Sequence, residues 1–274
     1  MIHNVLSIAG VDPSGGAGIL ADLKAFSALG AYGTGVVAAL TAQNTRSVDA
    51  VQLVPPSFVA AQIDTLLGDV RIDAVKIGML ASPEVVEVVA GRLAAHGVRR
   101  IVLDPVMVAK SGDRLLAADA VDAMRRLLVP MATVLTPNLP EAADLLGEGE
   151  APDIAAMRSM AKRLLALGPA IVVLKGGHLA GHACVDVVDD GKRTVEIASP
   201  RIATRNTHGT GCTLSAAIAA LLPRHADPFD AVRAARAYLV AAIAAADELR
   251  VGSGDGHGPV HHFHASWPSR SSVG

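Results

Sequence analysis

Short segments rich in β-branched residues alternate with helix-length stretches along most of this chain, and that rhythm constrains the fold more than any single motif. The strand-like segments are NVLSIAG, GTGVVAALTA, DAVKIGM, RIVLDPV, ATVLTPN and AIVVLKGG. Between and after them, 16–29, 56–68, 83–95, 117–128, 139–146 and 153–167 read as helices. Strand followed by helix, repeated in this way, predicts a mostly parallel sheet with helices on both faces. Several strands are almost wholly apolar, as doubly covered strands must be. The rhythm breaks at 183–197, ACVDVVDDGKRTVEI, where two alternating segments flank DDGK and predict a hairpin of antiparallel strands at one edge. Two helices follow, over about 210–222 and 228–248, with Pro223 and Pro228 marking their joint.

A chain of 274 residues without a visible linker is ordinary for one α/β domain with a large core. The domain is expected to run from 1 to 265, with 266–274 as a loose tail. In an open α/β sheet, ligands gather beyond the carboxyl ends of the strands. The polar and glycine-bearing residues cluster there along this chain: Asp12 to Gly18, Gln43 and Asn44, Gly78 and Met79, Asp104, Asn138 to Glu141, and Lys175 to Gly177.

Composition removes several classes of function. The net charge of −2, with basic residues scattered singly, gives no footprint for nucleic acid. Aromatic residues at 3% leave no stacking platform for a single strand. The apolar run AYLVAAIAAA has half of the about 20 residues that a membrane span needs. MIHNVLSIAG lacks a basic leader and reads as a first strand, not as a secretion signal. Cys184 and Cys212 are the only thiols, so a disulfide framework has no support and a reducing cytoplasm is the expected location.

NTHGTGCT, 206–213, opens the small-residue helix LSAAIAALL. Glycines before a helix serve tight packing, but exposed N–H groups at a helix N-terminus also form a ready anion site. In the second case Cys212 stands where an incoming phosphate meets its acceptor.

Other stretches carry two readings each. GVDPSGGAG, 10–18, has the spacing of neither the dinucleotide fingerprint nor the phosphate loop, which leaves a strand-to-helix turn. Asp22, in the helix that follows, either faces the rim or is an ordinary solvated carboxylate. Asn138 and Glu141 in TPNLPEA have the spacing of a helix cap. One carboxylate and one amide oxygen at a strand end also suffice for magnesium when phosphates supply the rest, with Asp104 a second candidate for the same ion. Lys175 ends IVVLK and is either a point charge for phosphate or a lysine in water. The histidines at 257, 261, 262 and 264 suggest a metal site, but only Asp255 accompanies them, which favours packing beside the pocket.

SIAGVDPSGGAGILADLKAFSALGAYGTGVVAALTAQNT, KIGML, LDPVMVAKSGDRLL, TPNLPEA, KGGH and NTHGTGCTLSAAIAAL together resemble the hydroxymethylpyrimidine/phosphomethylpyrimidine kinases of thiamine biosynthesis, a branch of the ribokinase-like superfamily. The likeness runs in order from Asn4 to Trp267. It implies a three-layer αβα sandwich with a mostly parallel central sheet and an edge hairpin. It also implies ATP- and Mg²⁺-dependent phosphorylation of 4-amino-5-hydroxymethyl-2-methylpyrimidine, then of its monophosphate, by a homodimer. By the resemblance, Gly209, Thr210 and Gly211 form an anion hole, and Asn138, Lys175 and Thr207 contact the nucleotide. Glu141 and Asp104 belong to the metal. Cys212 falls where most of the superfamily has an aspartate base, and a cysteine there is usual in the pyrimidine branch.

Gln43 corresponds to the family residue that contacts the pyrimidine, and its amide complements an exocyclic amine beside a ring nitrogen. Met79 supplies an adaptable apolar wall, while Asp22 and the backbone of Gly10 are weaker carry-overs for the same pocket. A thiol at a helix N-terminus is expected to ionise below about 8.5, which makes Cys212 a thiolate base at neutral pH. The segment 108–116, VAKSGDRLL, is the expected lid. The rivals are a pyridoxine or pyridoxal kinase of the same superfamily and a non-catalytic nucleotide- or pyrimidine-binding protein.

Overall fold

The computed structural model describes residues 1–107 and 118–267, so the expected lid at 108–116 and most of the expected tail lie outside the described residues. Nine strands among the described residues form one sheet in the order β3-β2-β1-β4-β5-β6-β7-β8-β9. They are β1 (Asn4–Val11), β2 (Tyr32–Gln43), β3 (Val48–Leu53), β4 (Ala74–Ile77), β5 (Ile101–Leu103), β6 (Val134–Leu135), β7 (Ile171–Leu174), β8 (Ala183–Asp189) and β9 (Thr194–Pro200). Strands β1, β2, β4, β5, β6 and β7 run parallel, while β3 on one edge and β8 and β9 on the other are antiparallel.

The helices are α1 (Gly18–Ala28), α2 (Pro56–Leu67), α3 (Pro83–Ala95), α4 (Ala118–Leu127), α5 (Leu139–Leu146), α6 (Ile154–Leu165), α7 (Thr210–Leu221) and α8 (Pro228–Ala244). Period-2 alternation sorts the strand side chains into two cores. Leu6, Ile8, Val75, Ile77, Ile101 and Leu103 pack under α2 to α6. Val5, Ala74, Val102 and Val134 pack under α1, α7 and α8. No described helix is long and apolar enough to cross a membrane.

The edge hairpin forms where DDGK predicts it, with β8 and β9 paired from Ala183↔Pro200 to Asp189↔Thr194. The last expected helix ends at Ala244 and passes into a 3-10 turn, Ala246–Glu248. Strand β3 is the element that the sequence rhythm does not predict. Its residues are mostly exposed, so apolar patterning marks it weakly. The chain enters it through a turn in which Arg46 and Ser47 donate backbone N–H groups to Asn44 Oδ1, at 2.8 and 3.1 Å. At 266 and 267, Ser266 and Trp267 both donate backbone N–H groups to the Phe263 carbonyl, and the Trp267 ring stacks on Phe263 at 5.0 Å.

Candidate active site

The chain winds left from β1 to β2 and then right from β1 to β4, and such reversals open a crevice beyond the carboxyl ends of the strands. A cavity of about 610 Å³ occupies that rim. Its wall holds Gly10, Gln43, Met79, Asp104, Asn138, Glu141, Lys175, Thr207 and Gly209 through Cys212, so one space unites all but one of the expected site residues.

Asp22 is the exception. It is fully buried and absent from the wall, so it is not a solvated carboxylate. Its Oδ1 and Oδ2 accept from Lys76 Nζ at 3.0 and 2.8 Å, and Oδ2 also accepts from Ser7 Oγ at 2.6 Å. Lys76 does line the cavity. Burial alone lowers its ammonium, but Asp22, with Cys212 and Asp104 adding, raises it above the ordinary lysine range.

Beside Gln43, a bulge between Ala42 and Gln43 turns the end of β2 as it pairs with β3. Thr41 Oγ1 lies 3.1 Å from Gln43 Oε1 and 3.0 Å from the Val11 carbonyl, which fixes the amide beside β1. Met79 is buried against Gly10.

The anion turn owes its shape to Gly209, which caps α7 at a left-handed φ of 74°, where a Cβ would overlap the Gly16 carbonyl. No side-chain hydrogen bond caps α7, whose first residues Thr210, Gly211 and Cys212 line the cavity, and the Thr210 N–H reaches the Thr207 carbonyl at 3.4 Å. His208 binds this turn to the one after β1: its Nε2 lies 2.7 Å from Asp12 Oδ2, which also accepts from Ser14 Oγ and Ala17 N. Burial pushes the Asp12 carboxyl up, but hydrogen bonds from His208 and Ser14 outweigh it and hold the group below the usual carboxylate range.

Cys212 departs from the sequence expectation. Burial pushes its thiol up to about 11, and the Asp104 and Asp22 carboxylates act in the same direction. Lys76 and the Gly18 N–H oppose this without prevailing. The helix terminus therefore does not keep Cys212 ionised at neutral pH, because the fold brings two carboxylates and little water to the sulfur.

Lys175 follows β7 and donates to Asp104 Oδ1 at 3.0 Å, with Glu141 Oε2 at 3.7 Å. Asp104 is further engaged by Thr136 at Oδ1 and Ser215 at Oδ2. Asn138 and Glu141 form a reciprocal capping box on α5 and line the cavity as well, so the two readings of this pair coexist. Burial pushes the Glu141 carboxyl up to about 7, with Lys175 opposing and Asp104 assisting. Carboxylates hold Lys175 itself above the ordinary lysine range despite its burial.

The C-terminal histidines form no metal-binding group with other described residues. His261 and His262 are buried, and Thr213 Oγ1 meets His262 Nε2 at 3.1 Å, which ties this segment to α7. Sequence reasoning missed Lys76, although a lysine inside the apolar strand DAVKIGM is a signal, because such a charge must find a buried partner. It also missed Asp12 and His208 as a pair.

The chain is also similar to proteins of known activity. The chain is 54% identical over 264 residues to the hydroxymethylpyrimidine/phosphomethylpyrimidine kinase of Salmonella typhimurium, covering 96% of this chain and 98% of that protein. The crystal structure of phosphomethylpyrimidine kinase from Clostridium difficile superposes with a TM-score of 0.79 at 38% identity, covering 88% of this chain and 99% of that one. A pyridoxal kinase from Staphylococcus aureus, in complex with AMP-PCP and pyridoxal, superposes with a TM-score of 0.87 at 32% identity over 98% of this chain and 96% of that one. The family model of phosphomethylpyrimidine kinase matches residues 12–261, eight of the nine described strands and every wall of the cavity but Gly10 and Val11, and the chain belongs to that family of kinases.

Proposed function

We propose that this kinase transfers the γ-phosphoryl group of ATP to the hydroxymethyl oxygen of 4-amino-5-hydroxymethyl-2-methylpyrimidine, and then a second phosphoryl group to the monophosphate, for thiamine biosynthesis. The observation that carries this reading is one cavity that brings together Gln43 and Met79, taken as its acceptor end, the cationic Lys175, taken as its donor end, and the anion turn with Cys212. Gln43 reads the aminopyrimidine edge, Met79 and Gly10 bound the ring, and Asn138, Lys175 and Thr207 hold the nucleotide.

Phosphoryl transfer passes through a loose transition state, so positioning and charge stabilisation dominate. The N–H groups of Gly209, Thr210 and Gly211 and the ammonium of Lys175 meet the charge on the transferring group. In the first step the acceptor oxygen bonds to the γ-phosphorus, the bond to ADP breaks, and the alcohol proton passes to Cys212 in its thiolate form. With the thiol at about 11, that form grows tenfold per pH unit through the neutral range. A phosphate monoester, with a second pKa near 6, has no such proton to lose.

The donors at the site fit Mg²⁺, a hard cation that takes one or two carboxylates and keeps several waters. Glu141 is the direct candidate; Asp104, whose two oxygens already accept from Lys175, Thr136 and Ser215, supports it from behind. Glu141 would hold the ion, whose chemistry there would be to offset negative charge on the nucleotide phosphates. The reading extends to a cytoplasmic homodimer: both cysteines are free thiols, and Leu40, Val51, Leu53 and Phe58 are exposed apolar side chains that a second copy would cover.

The test is coupled ADP release with the aminopyrimidine, its monophosphate and pyridoxal, assayed side by side. Turnover with the first two is the expected result. Turnover with pyridoxal alone would replace this reading by that of a pyridoxal kinase, and no turnover with any acceptor would leave a binding protein.

A further inference from the structure

One active site that serves both a neutral alcohol and a phosphate dianion faces an electrostatic problem only in the second step. The dianion must approach the γ-phosphate of ATP, like charge against like charge. The donor end does not solve this alone: Lys175 is shared between Asp104 and Glu141, two carboxylates for one ammonium.

The cavity wall holds a second lysine. Residue 76 lies on β4 between Val75 and Ile77, which pack under α2 to α6, so the alternation of the strand turns Lys76 toward the opposite face, that of α1 and α7. Asp22 reaches it from α1, and Ser7, its register neighbour on β1, secures the carboxylate. Lys76 is on the cavity wall and Asp22 is behind it, so the pair presents its positive end to the cavity. Gly78 leaves the space that the ammonium uses: a Cβ there would lie 2.8 Å from Nζ. Stability does not account for the pair, because a buried ion pair is often no better than an apolar pair of the same volume. An oriented cation in a water-poor wall, by contrast, acts on a nearby anion with little screening.

We infer that Lys76, held by Asp22 and Ser7, is a positioning residue of the acceptor end whose charge makes the anionic monophosphate usable as the second acceptor. This rests on the two-step reading above. The field favours the second transfer over the first, and the sealed carboxylate keeps the lysine from being captured by the acceptor or the nucleotide.

The experiment measures single-turnover rates of both transfers by the wild type, by Lys76→Met and by the double variant Asp22→Asn/Lys76→Met. The double variant removes the carboxylate that the single one leaves orphaned, and so guards against failure to fold. Both rates are taken on one preparation, so the folded fraction cancels in their ratio, and a purely structural role leaves that ratio unmoved. The second-to-first ratio is expected to fall on the order of tenfold in both variants, as one partly compensated charge acting over several ångströms implies. A ratio within twofold of the wild type, or a loss confined to the first transfer, overturns the inference. A wild type inactive on both acceptors would instead overturn the functional reading itself.

Discussion

The two ends of the cavity are each built around a buried lysine paired with a carboxylate, and they differ in how completely the pair is sealed. Lys76 and Asp22 have side-chain exposures of 0% and 0%, while Lys175 and Asp104 have 14% and 2%. A sealed pair cannot exchange its partner, so it acts as fixed charge. An open pair can release its lysine to an arriving phosphate while water or a metal ion takes up the carboxylates. Burial, and not the identity of the residues, thus separates a cation that binds from one that sets a field.

Exchanging the lysines one at a time tests this division most severely. Lys175→Ala should lower kcat for both transfers by about 10²–10³, the size of a lost transition-state charge contact, with a modest change in stability because the cavity admits water to Asp104 and Glu141. Lys76→Met should instead cost about 3–5 kcal/mol of stability, measured by urea unfolding, because Asp22 is left charged without water. Equal stability losses in the two variants would end the distinction. Raising magnesium should not rescue Lys175→Ala, whereas Glu141→Ala, a loss of about 10–100-fold, should be partly rescued.

Cys212 lies between the two ends. Cys212→Ala is expected to slow the first transfer by about 10²–10³ and the second far less, since only the alcohol has a proton to lose. The wild-type first transfer should also rise close to tenfold per pH unit between about pH 6 and 9, because the thiol is held at about 11, while the second should flatten once the monoester is ionised. Equal losses in both transfers, or a first transfer flat with pH, would reduce Cys212 to a packing residue of α7.

The order of strands and helices was legible in the sequence because apolar periodicity reports which faces are covered. The rim where the expected site residues gather was legible because the six parallel strands place their carboxyl ends on one side. What escaped depends on residues far apart in the chain. Lys76 and Asp22 are separated by more than fifty positions, so the sequence displayed a lysine in a strand and a carboxylate on a helix but not the contact. The helix-terminus rule gave the wrong sign for Cys212 because it is local, whereas Asp104 comes from the end of β5 and Asp22 from α1. Strand β3 escaped because its pairing with β2 buries few side chains.

Gln43→Leu probes the acceptor end alone. Buried ring atoms left without partners cost about 1–3 kcal/mol each, so kcat/KM for the aminopyrimidine should fall by about tenfold or more, with pyridoxal, if turned over, affected less. Unchanged discrimination would remove Gln43 from recognition and leave the apolar walls, Met79 and Gly10, to define it.

The smallest effect belongs to Asp12 and His208, which join the turn after β1 to the anion turn and so hold a part of the floor that both ends share. Asp12 is held below the usual carboxylate range in the folded chain, so its ionised form contributes stability above the unfolded value of about 3.9, and this is lost as pH falls through the folded value. Asp12→Asn keeps the shape but weakens a charge-assisted bond, which predicts a loss of about 1–2 kcal/mol at neutral pH. The gap from the wild type, read from urea midpoints, should be constant from pH 7 to about 5 and narrow below about 4, where the wild type begins to take up the same proton. Activity in both transfers should fall together by a few-fold, since the pair acts on the turn and not on either phosphate. A gap that closes between pH 7 and 6 would remove Asp12 as the source of the dependence, and a loss confined to one transfer would place the pair at one end of the cavity.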